Sequence, residues 1–150
     1  MSATGAWRAA LATCGAIVVA DQATKQAAIA ELVGRAPVDL PLGFELDYVT
    51  NTGVAFGLLD QGEGLVIAIT LAALALLAVW FARDAERPGF WLPVGLLAGG
   101  ALGNLADRVR DGAVTDFFDP PSWPAFNLAD VAITVGVALL LLGYMRAQDE

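Results

Sequence analysis

What most constrains this chain is the recurrence of apolar runs long enough to cross a bilayer, for which about 20 mostly apolar residues suffice. Leu65 to Ala82 is the clearest, with Thr70 its only polar side chain. Phe90 to Ala106 follows, rich in Gly and Ala, which let helix backbones approach closely. Val131 to Met145 continues smoothly upstream to Phe126, and Trp7 to Ala20 comes first in order. That first run resembles a cleaved signal peptide ending near Val18-Val19-Ala20. Helical sequence runs on through Asp21-Gln22-Ala23-Thr24-Lys25-Gln26-Ala27-Ala28, however, so it is read as a retained span. The expectation is one integral membrane domain over residues 1–150, with spans near 7–28, 65–82, 90–108 and 127–145. Composition agrees: 57% of residues are hydrophobic and 16% charged, more apolar surface than a domain of this size could cover in water.

Several functions are excluded at once. A formal charge of −8 argues against nucleic acid, whose phosphates need Lys and Arg. There is no histidine, which removes the usual zinc ligand and general base and leaves proton chemistry to carboxylates. Cys14 is the only cysteine, so no internal disulfide can form. Its setting, Leu11-Ala12-Thr13-Cys14, has a faint likeness to a lipobox, but the apolar stretch before it, Trp7 to Ala10, is too short. Cys14 is read as a small packing residue in a helix.

An even number of spans puts both termini on one side. Arg8, Arg83, Arg87 and Arg146 then share that side, while Lys25, Arg35, Arg108 and Arg110 share the other. The count is a tie. The Arg83–Arg87 pair lies in a very short loop, where the positive-inside rule has most force, and tips the expectation toward cytoplasmic termini. On the far side, Phe44 to Thr50 alternates apolar and polar residues at period two, and Ala113 to Phe118 is a second strand candidate. The fold expected is an all-α membrane protein of four transmembrane helices, with a small extracytoplasmic β-sheet from the first and second outer loops.

Acids and amides collect at the outer ends of the spans: Asp21, Asn51, Asn104, Asp107, Asp116, Asn127 and Asp130. Polar groups at membrane depth are costly and usually functional, yet most have a plainer reading too. Asp21 and Lys25 are spaced for an intrahelical ion pair. Asn127 with Asp130 has the pattern of a helix N-cap with an acid in the first turn. Asp107 beside Arg108 reads as a neutralised pair at the interface. Asp116 is harder to explain structurally, since Val114-Thr115-Asp116-Phe117-Phe118 surrounds it with apolar side chains that penalise its charge. Gly99, Gly100 and Gly103 read as helix-packing residues.

Five blocks carry a family resemblance: Asp21-Gln22-Ala23-Thr24-Lys25; Asn51-Thr52-Gly53-Val54-Ala55-Phe56-Gly57; Gly99 through Arg108; Val114-Thr115-Asp116-Phe117; and Phe126-Asn127-Leu128-Ala129-Asp130. In this order they resemble the signature blocks of lipoprotein signal peptidase, also called signal peptidase II. The resemblance implies an aspartic endopeptidase of the bacterial cytoplasmic (inner) membrane, with its site near the outer face. It would remove signal peptides from diacylglyceryl-modified prolipoproteins, cutting before the lipidated cysteine. The family's catalytic aspartates match Asp116 and Asp130. Substrate-binding or supporting positions match Asp21, Lys25, Asn51, Gly53, Asn104, Asp107, Arg108 and Asn127. No cofactor and no metal is implied. The expected partners are the prolipoprotein and membrane lipid, and the expected state is a monomer.

Two other classes stay open on the residues themselves. Asp107, Asp111, Asp116 and Asp119 could hold Mg²⁺ in a phosphatidyl-group transferase, although Asp111-Gly112-Ala113-Val114 lacks the arginine that such a signature needs. Intramembrane acids also mark ion conductors, but these lie at one face rather than along a span.

Overall fold

The computed structural model describes residues 1–53 and 62–146, so the Val54-Ala55-Phe56-Gly57 part of the second block lies outside the described residues. Among the described residues the architecture is helical: α1 (Ala3–Leu32), α2 (Gly62–Asp84), α3 (Trp91–Asp111) and α4 (Leu128–Arg146). Ser2 starts α1 by accepting a hydrogen bond from the Gly5 amide at 3.2 Å. The 30 residues of α1 rise about 45 Å, more than the hydrocarbon thickness of a bilayer. Nothing in Ile29-Ala30-Glu31-Leu32 stops a helix before Gly34, which adopts φ 73°, so α1 outruns the span expected for it.

Three helices, α1, α2 and α4, are long and apolar enough to cross a membrane. The third expected span forms a helix as well, but Asn104, Asp107, Arg108, Arg110 and Asp111 crowd its C-terminal half and lower its hydropathy. α3 is nonetheless the centre of the bundle, packed against α1, α4 and α2. Glycine makes this possible. Gly95, Gly99 and Gly103, four apart, turn one stripe of α3 toward α1. A Cβ at Gly95 or Gly99 would sit 2.7 Å from a Cβ of Thr13 or Ile17. A Cβ at Gly103 would lie 2.5 Å from a carboxylate oxygen of Asp21. Gly100 faces α4, where a Cβ would meet the Ala129 carbonyl at 2.5 Å. The packing role read from these glycines is therefore what the fold uses.

The bundle has two unlike ends. One holds the apolar cluster of Ala6, Ala10, Phe81, Ala85, Phe90 and Val94, with the Trp7 and Phe81 rings 4.7 Å apart. The start of α1, the α2–α3 turn and the end of α4 all lie there, since the Ala3 amide reaches Glu86 and Arg87 reaches the Gly143 carbonyl. Between the ends the helices present large apolar side chains outward, among them Leu11, Val19, Leu76 and Leu141, as suits contact with lipid. Cys14 is buried in α1, as a packing residue would be.

The other end carries a three-stranded antiparallel sheet of β1 (Val38–Asp39), β2 (Glu45–Asn51) and β3 (Val114–Asp119), in that order. β2 and β3 are the two expected strands, shifted by a residue at their starts. β1 has two residues, too few to show a period in sequence. A one-residue irregularity divides the β2–β3 ladder: Leu46 faces Phe118, but Val49 rather than Tyr48 faces Asp116. After β3 the chain turns through Pro120 and Pro121, and Phe126 bridges back to Phe118 just before α4 begins.

Close packing at Gly100 generates a prediction. Gly100→Ala should destabilise the protein by about 1–3 kcal/mol, because its methyl meets backbone that cannot move aside. Gly15→Ala, with nothing within 4 Å of the new methyl, should be neutral or slightly stabilising. Thermal unfolding in detergent checks both, and equal shifts for the two would contradict the close α3–α4 contact.

Candidate active site

The polar residues singled out in sequence meet where α1, α3, the sheet and the start of α4 converge. They form two layers. The deeper one centres on Lys25, which like Asp21 and Asp107 is 0% exposed. Its ammonium reaches Asp21 at 2.8 Å, Asp107 at 2.9 Å and the Asn104 side-chain oxygen at 2.9 Å. Three protons meet three acceptors, which an ammonium buried away from water requires. The expected Asp21–Lys25 pair is present but forms half of a two-carboxylate clamp.

Each carboxylate of the clamp also ties down another element. Asp21 accepts the Ala129 amide at 3.0 Å, fixing the first turn of α4 against α1. Asp107 accepts the Thr115 amide at 3.2 Å, fixing the start of β3. The expected Asp107–Arg108 pair does not form. Asp107 pairs with Lys25 and with Arg110 at 3.2 Å, because a helical neighbour one position on points away whereas one three positions on returns to the same face. Arg108 instead extends beside Gly53 and donates to the Asn104 carbonyl at 3.4 Å. Its Nε is buried and has no hydrogen-bond partner among the described residues. Gly53 adopts φ 73° and donates its amide to the Asn51 side chain at 2.9 Å.

The second layer contains Asp116 and Asp130, joined by asparagines. Asn104 has its oxygen committed to Lys25 and to the Asn127 amide group, 3.0 Å away, so its own NH₂ donates to Asp130 at 2.8 Å. Asn127 donates its side-chain NH₂ to Asp116 at 2.7 Å and its backbone N–H to Asp130 at 3.2 Å. In return its side-chain oxygen accepts the Asp130 amide at 3.1 Å, the reciprocal arrangement of a capping box. The N-cap reading of Asn127 and Asp130 is correct, and the same cap holds both carboxylates. Asn51 closes the group from the open side, donating to Asp116 at 3.0 Å. It does so because the ladder irregularity sets Asn51 opposite Val114, on the same sheet face as Asp116. An uninterrupted register would offer Thr50 there.

The two acids have unlike surroundings. Asp116 is 1% exposed, while Asp130 is half-buried at the mouth of the site. Burial pushes the Asp116 carboxyl up from 3.8 to about 6. The charge of Asp130 acts in the same direction as burial, and about 6 is the balance left after the hydrogen bonds from Asn51 and Asn127 pull the other way.

Three contributors were not singled out as site residues in the sequence. Gln22 donates to Asp107 at 2.9 Å and accepts from Arg110 at 3.0 Å, capping the clamp. Thr115 acts through its backbone alone, donating to Asp107 and accepting from Asn127. Arg110 was legible as the i+3 neighbour of Asp107. By contrast, the four carboxylates of the Mg²⁺ alternative do not converge: Asp107 lies on Lys25, Asp111 on Arg110 and Asp116 on its asparagines, while Asp119 is opposite Glu45 at the other end of the β2–β3 ladder. Among the described residues no group of three or more His, Cys, Asp or Glu is arranged to hold a metal ion.

Comparison with known proteins points in one direction. The family model described as signal peptidase (SPase) II matches residues 13–146. The lipoprotein signal peptidase of Pelotomaculum thermopropionicum is 42% identical over 137 residues, covering 89% of this chain and 90% of that one. The one from Methylobacterium sp. is 43% identical over 142 residues, covering 88% and 86%. A solved structure described as a bacterial membrane enzyme superimposes with a TM-score of 0.84 at 30% identity, covering 90% of this chain and 91% of that one. A second, described in the same words, gives 0.80 at 31%, covering 93% and 88%.

The raised Asp116 carboxyl predicts a pH dependence of stability. Between 3.8 and about 6 the folded state keeps a proton that the unfolded chain gives up, so stability falls as pH rises through that window and levels off above it. Asp116→Asn has no such proton. Wild-type protein should therefore lose thermal stability relative to Asp116→Asn across this window in detergent. A difference that is the same at every pH would show that Asp116 does not titrate there.

Proposed function

Since the chain belongs to the signal peptidase II family, and so removes signal peptides from prolipoproteins in a bacterial membrane, we propose that it works as an aspartic endopeptidase with Asp116 and Asp130 as its catalytic pair. The observation that carries this reading is Asn127, which donates to both carboxylates at once, 2.7 Å from an Asp116 oxygen and 3.2 Å from an Asp130 oxygen. Peptide hydrolysis without histidine can use two carboxylates sharing one proton. Asp116, whose charge burial penalises, holds that proton at the start of the cycle. Asp130, at the mouth, takes a proton from the attacking water while Asp116 donates to the carbonyl oxygen of the scissile peptide. The proton on Asp130 then passes to the leaving amine as the C–N bond breaks, and a hydroxyl proton of the tetrahedral intermediate returns to Asp116, restoring the starting state.

The remaining residues divide by position. Asn51, with Gly53 and Arg108 beside it, lines the open side, where an extended substrate strand can be held by amide and guanidinium donors. Asn104 and Asn127 orient the two acids. Asp21, Lys25 and Asp107 lie one layer deeper and support the site without touching substrate. The bond cut is the one before a cysteine carrying diacylglycerol, and the bilayer helps by confining signal helix and acyl chains to the plane of the site. We place α3 as a fourth span, shielded by α1, α2 and α4, with both termini cytoplasmic, the sheet outside, and the whole chain acting as one monomeric domain. The transferase and conductor alternatives lose support, the first with the dispersal of its carboxylates and the second with the enclosure of the acids by amides and Lys25.

Two outcomes test this. Asp116→Asn and Asp130→Asn should each lower turnover of a diacylglyceryl-modified prolipoprotein, read by gel shift, by about a hundredfold or more. The double variant should be scarcely worse than either single one, since residues acting as a unit are not additive. Asp107→Asn should instead cost stability and keep measurable turnover. Either dyad variant retaining more than about a tenth of wild-type turnover would sink the two-aspartate mechanism. For orientation, Ser122→Cys should be labelled by an impermeant thiol reagent from outside the cell, and labelling from the cytoplasmic side alone would reverse the topology.

A further inference from the structure

At the end of the bundle farthest from the site lies a groove of about 540 Å³, formed by the end of α2, the α2–α3 turn and the last turns of α4. Its wall is apolar, with Leu92 and Leu140 among the lining side chains, and Trp80 and Tyr144 stand beside them. Two cations complete it, Arg87 and Arg146. The catalytic reading uses none of these residues.

The groove is built to hold its shape. Leu140 packs against the buried Phe81–Phe90 cluster, and the Trp80 and Phe90 rings are 4.8 Å apart. Arg87 is anchored by donating one Nη to the Gly143 carbonyl at 3.1 Å, which leaves further N–H donors of its planar fork free for a ligand. Among the described residues the acids next to Arg87 in the chain are turned to other work: Asp84 accepts the Trp80 indole N–H at 3.1 Å, and Glu86 accepts the Ala3 amide at 3.4 Å. Neither lines the groove. Among the described residues Arg87 and Arg146 form no ion pair.

An apolar groove between membrane helices is filled by lipid, and its rim decides which headgroup is preferred. Two guanidiniums with no carboxylate between them among the described residues favour a phosphate carrying net negative charge, with aromatic side chains at headgroup level. We propose that this groove is a binding site for an acidic phospholipid, its phosphate held between Arg87 and Arg146 and an acyl chain laid along Leu92 and Leu140. The site is separate from the peptidase centre, so the proposal stands or falls independently of the catalytic assignment.

The test is native mass spectrometry of the full-length protein released from mixed micelles containing equal phosphatidylglycerol and phosphatidylethanolamine. Wild type should retain phosphatidylglycerol in preference by on the order of tenfold, given what each arginine contributes near an acidic headgroup. Arg87→Gln/Arg146→Gln should lose that preference while keeping peptidase turnover in micelles, which shows that it is folded. Arg87→Lys/Arg146→Lys should recover most of it, and Arg8→Gln/Arg83→Gln, altering the same face outside the groove, should leave it intact. Equal retention of the two lipids by wild type, or equal loss of preference in the Arg8/Arg83 variant, would overturn the proposal. So would a dimer mass with no lipid retained, which would mean a second copy of the chain covers the groove.

Discussion

The ammonium of Lys25 is enclosed on every side, and the architecture of the site follows from how its three protons are spent. An uncompensated buried charge costs several kcal/mol, so Asp21, Asp107 and Asn104 must all stand within hydrogen-bonding distance of one nitrogen. Satisfying that requirement fixes α1 against α3. Because Asp21 also takes the Ala129 amide and Asp107 the Thr115 amide, it fixes the entry to α4 and the root of β3 as well. The two segments that carry Asp130 and Asp116 are thus positioned by charges that neither acid touches.

The same ammonium orients the two proposed catalytic acids through an amide. An asparagine side chain can be turned either way, with oxygen and nitrogen exchanged. Lys25 can only donate, so the Asn104 oxygen must face it, and the Asn104 nitrogen must then face Asp130. The NH₂ of Asn127 shares that oxygen and reaches Asp116. A polar network of this kind, with its buried donors and acceptors all matched, holds its geometry tightly because any partial arrangement leaves an orphaned group.

Placing a charged half-helix at the centre of a lipid-facing bundle would be prohibitive if α3 met the bilayer directly. The glycine stripe resolves this by letting α1 and α4 close onto α3, so that Asp107 and Asn104 are sheltered by protein. Between the two ends, the outer faces of α1, α2 and α4 are mainly apolar. The two ends of the bundle then serve different contacts: carboxylates and amides at the end bearing the sheet, guanidiniums and aromatic rings at the other.

Much of this was legible in the linear sequence, for reasons that are local. Apolar runs gave the helices, since length and hydropathy decide what a bilayer accepts. Period-two alternation gave β2 and β3, the Asn127–Asp130 spacing gave the cap, and the Asp21–Lys25 spacing gave one arm of the clamp. What sequence could not supply was anything depending on the meeting of distant segments. Asp107 took Lys25 and Arg110 as partners in place of its neighbour Arg108, because helical geometry and a buried cation outweigh adjacency. A single extra residue in β2 decided that Asn51, and not Thr50, reaches Asp116. Whether the expected acids would converge was likewise settled by packing. Hydropathy and periodicity are properties of one segment, whereas partner choice by a buried charge is a property of all the segments that enclose it.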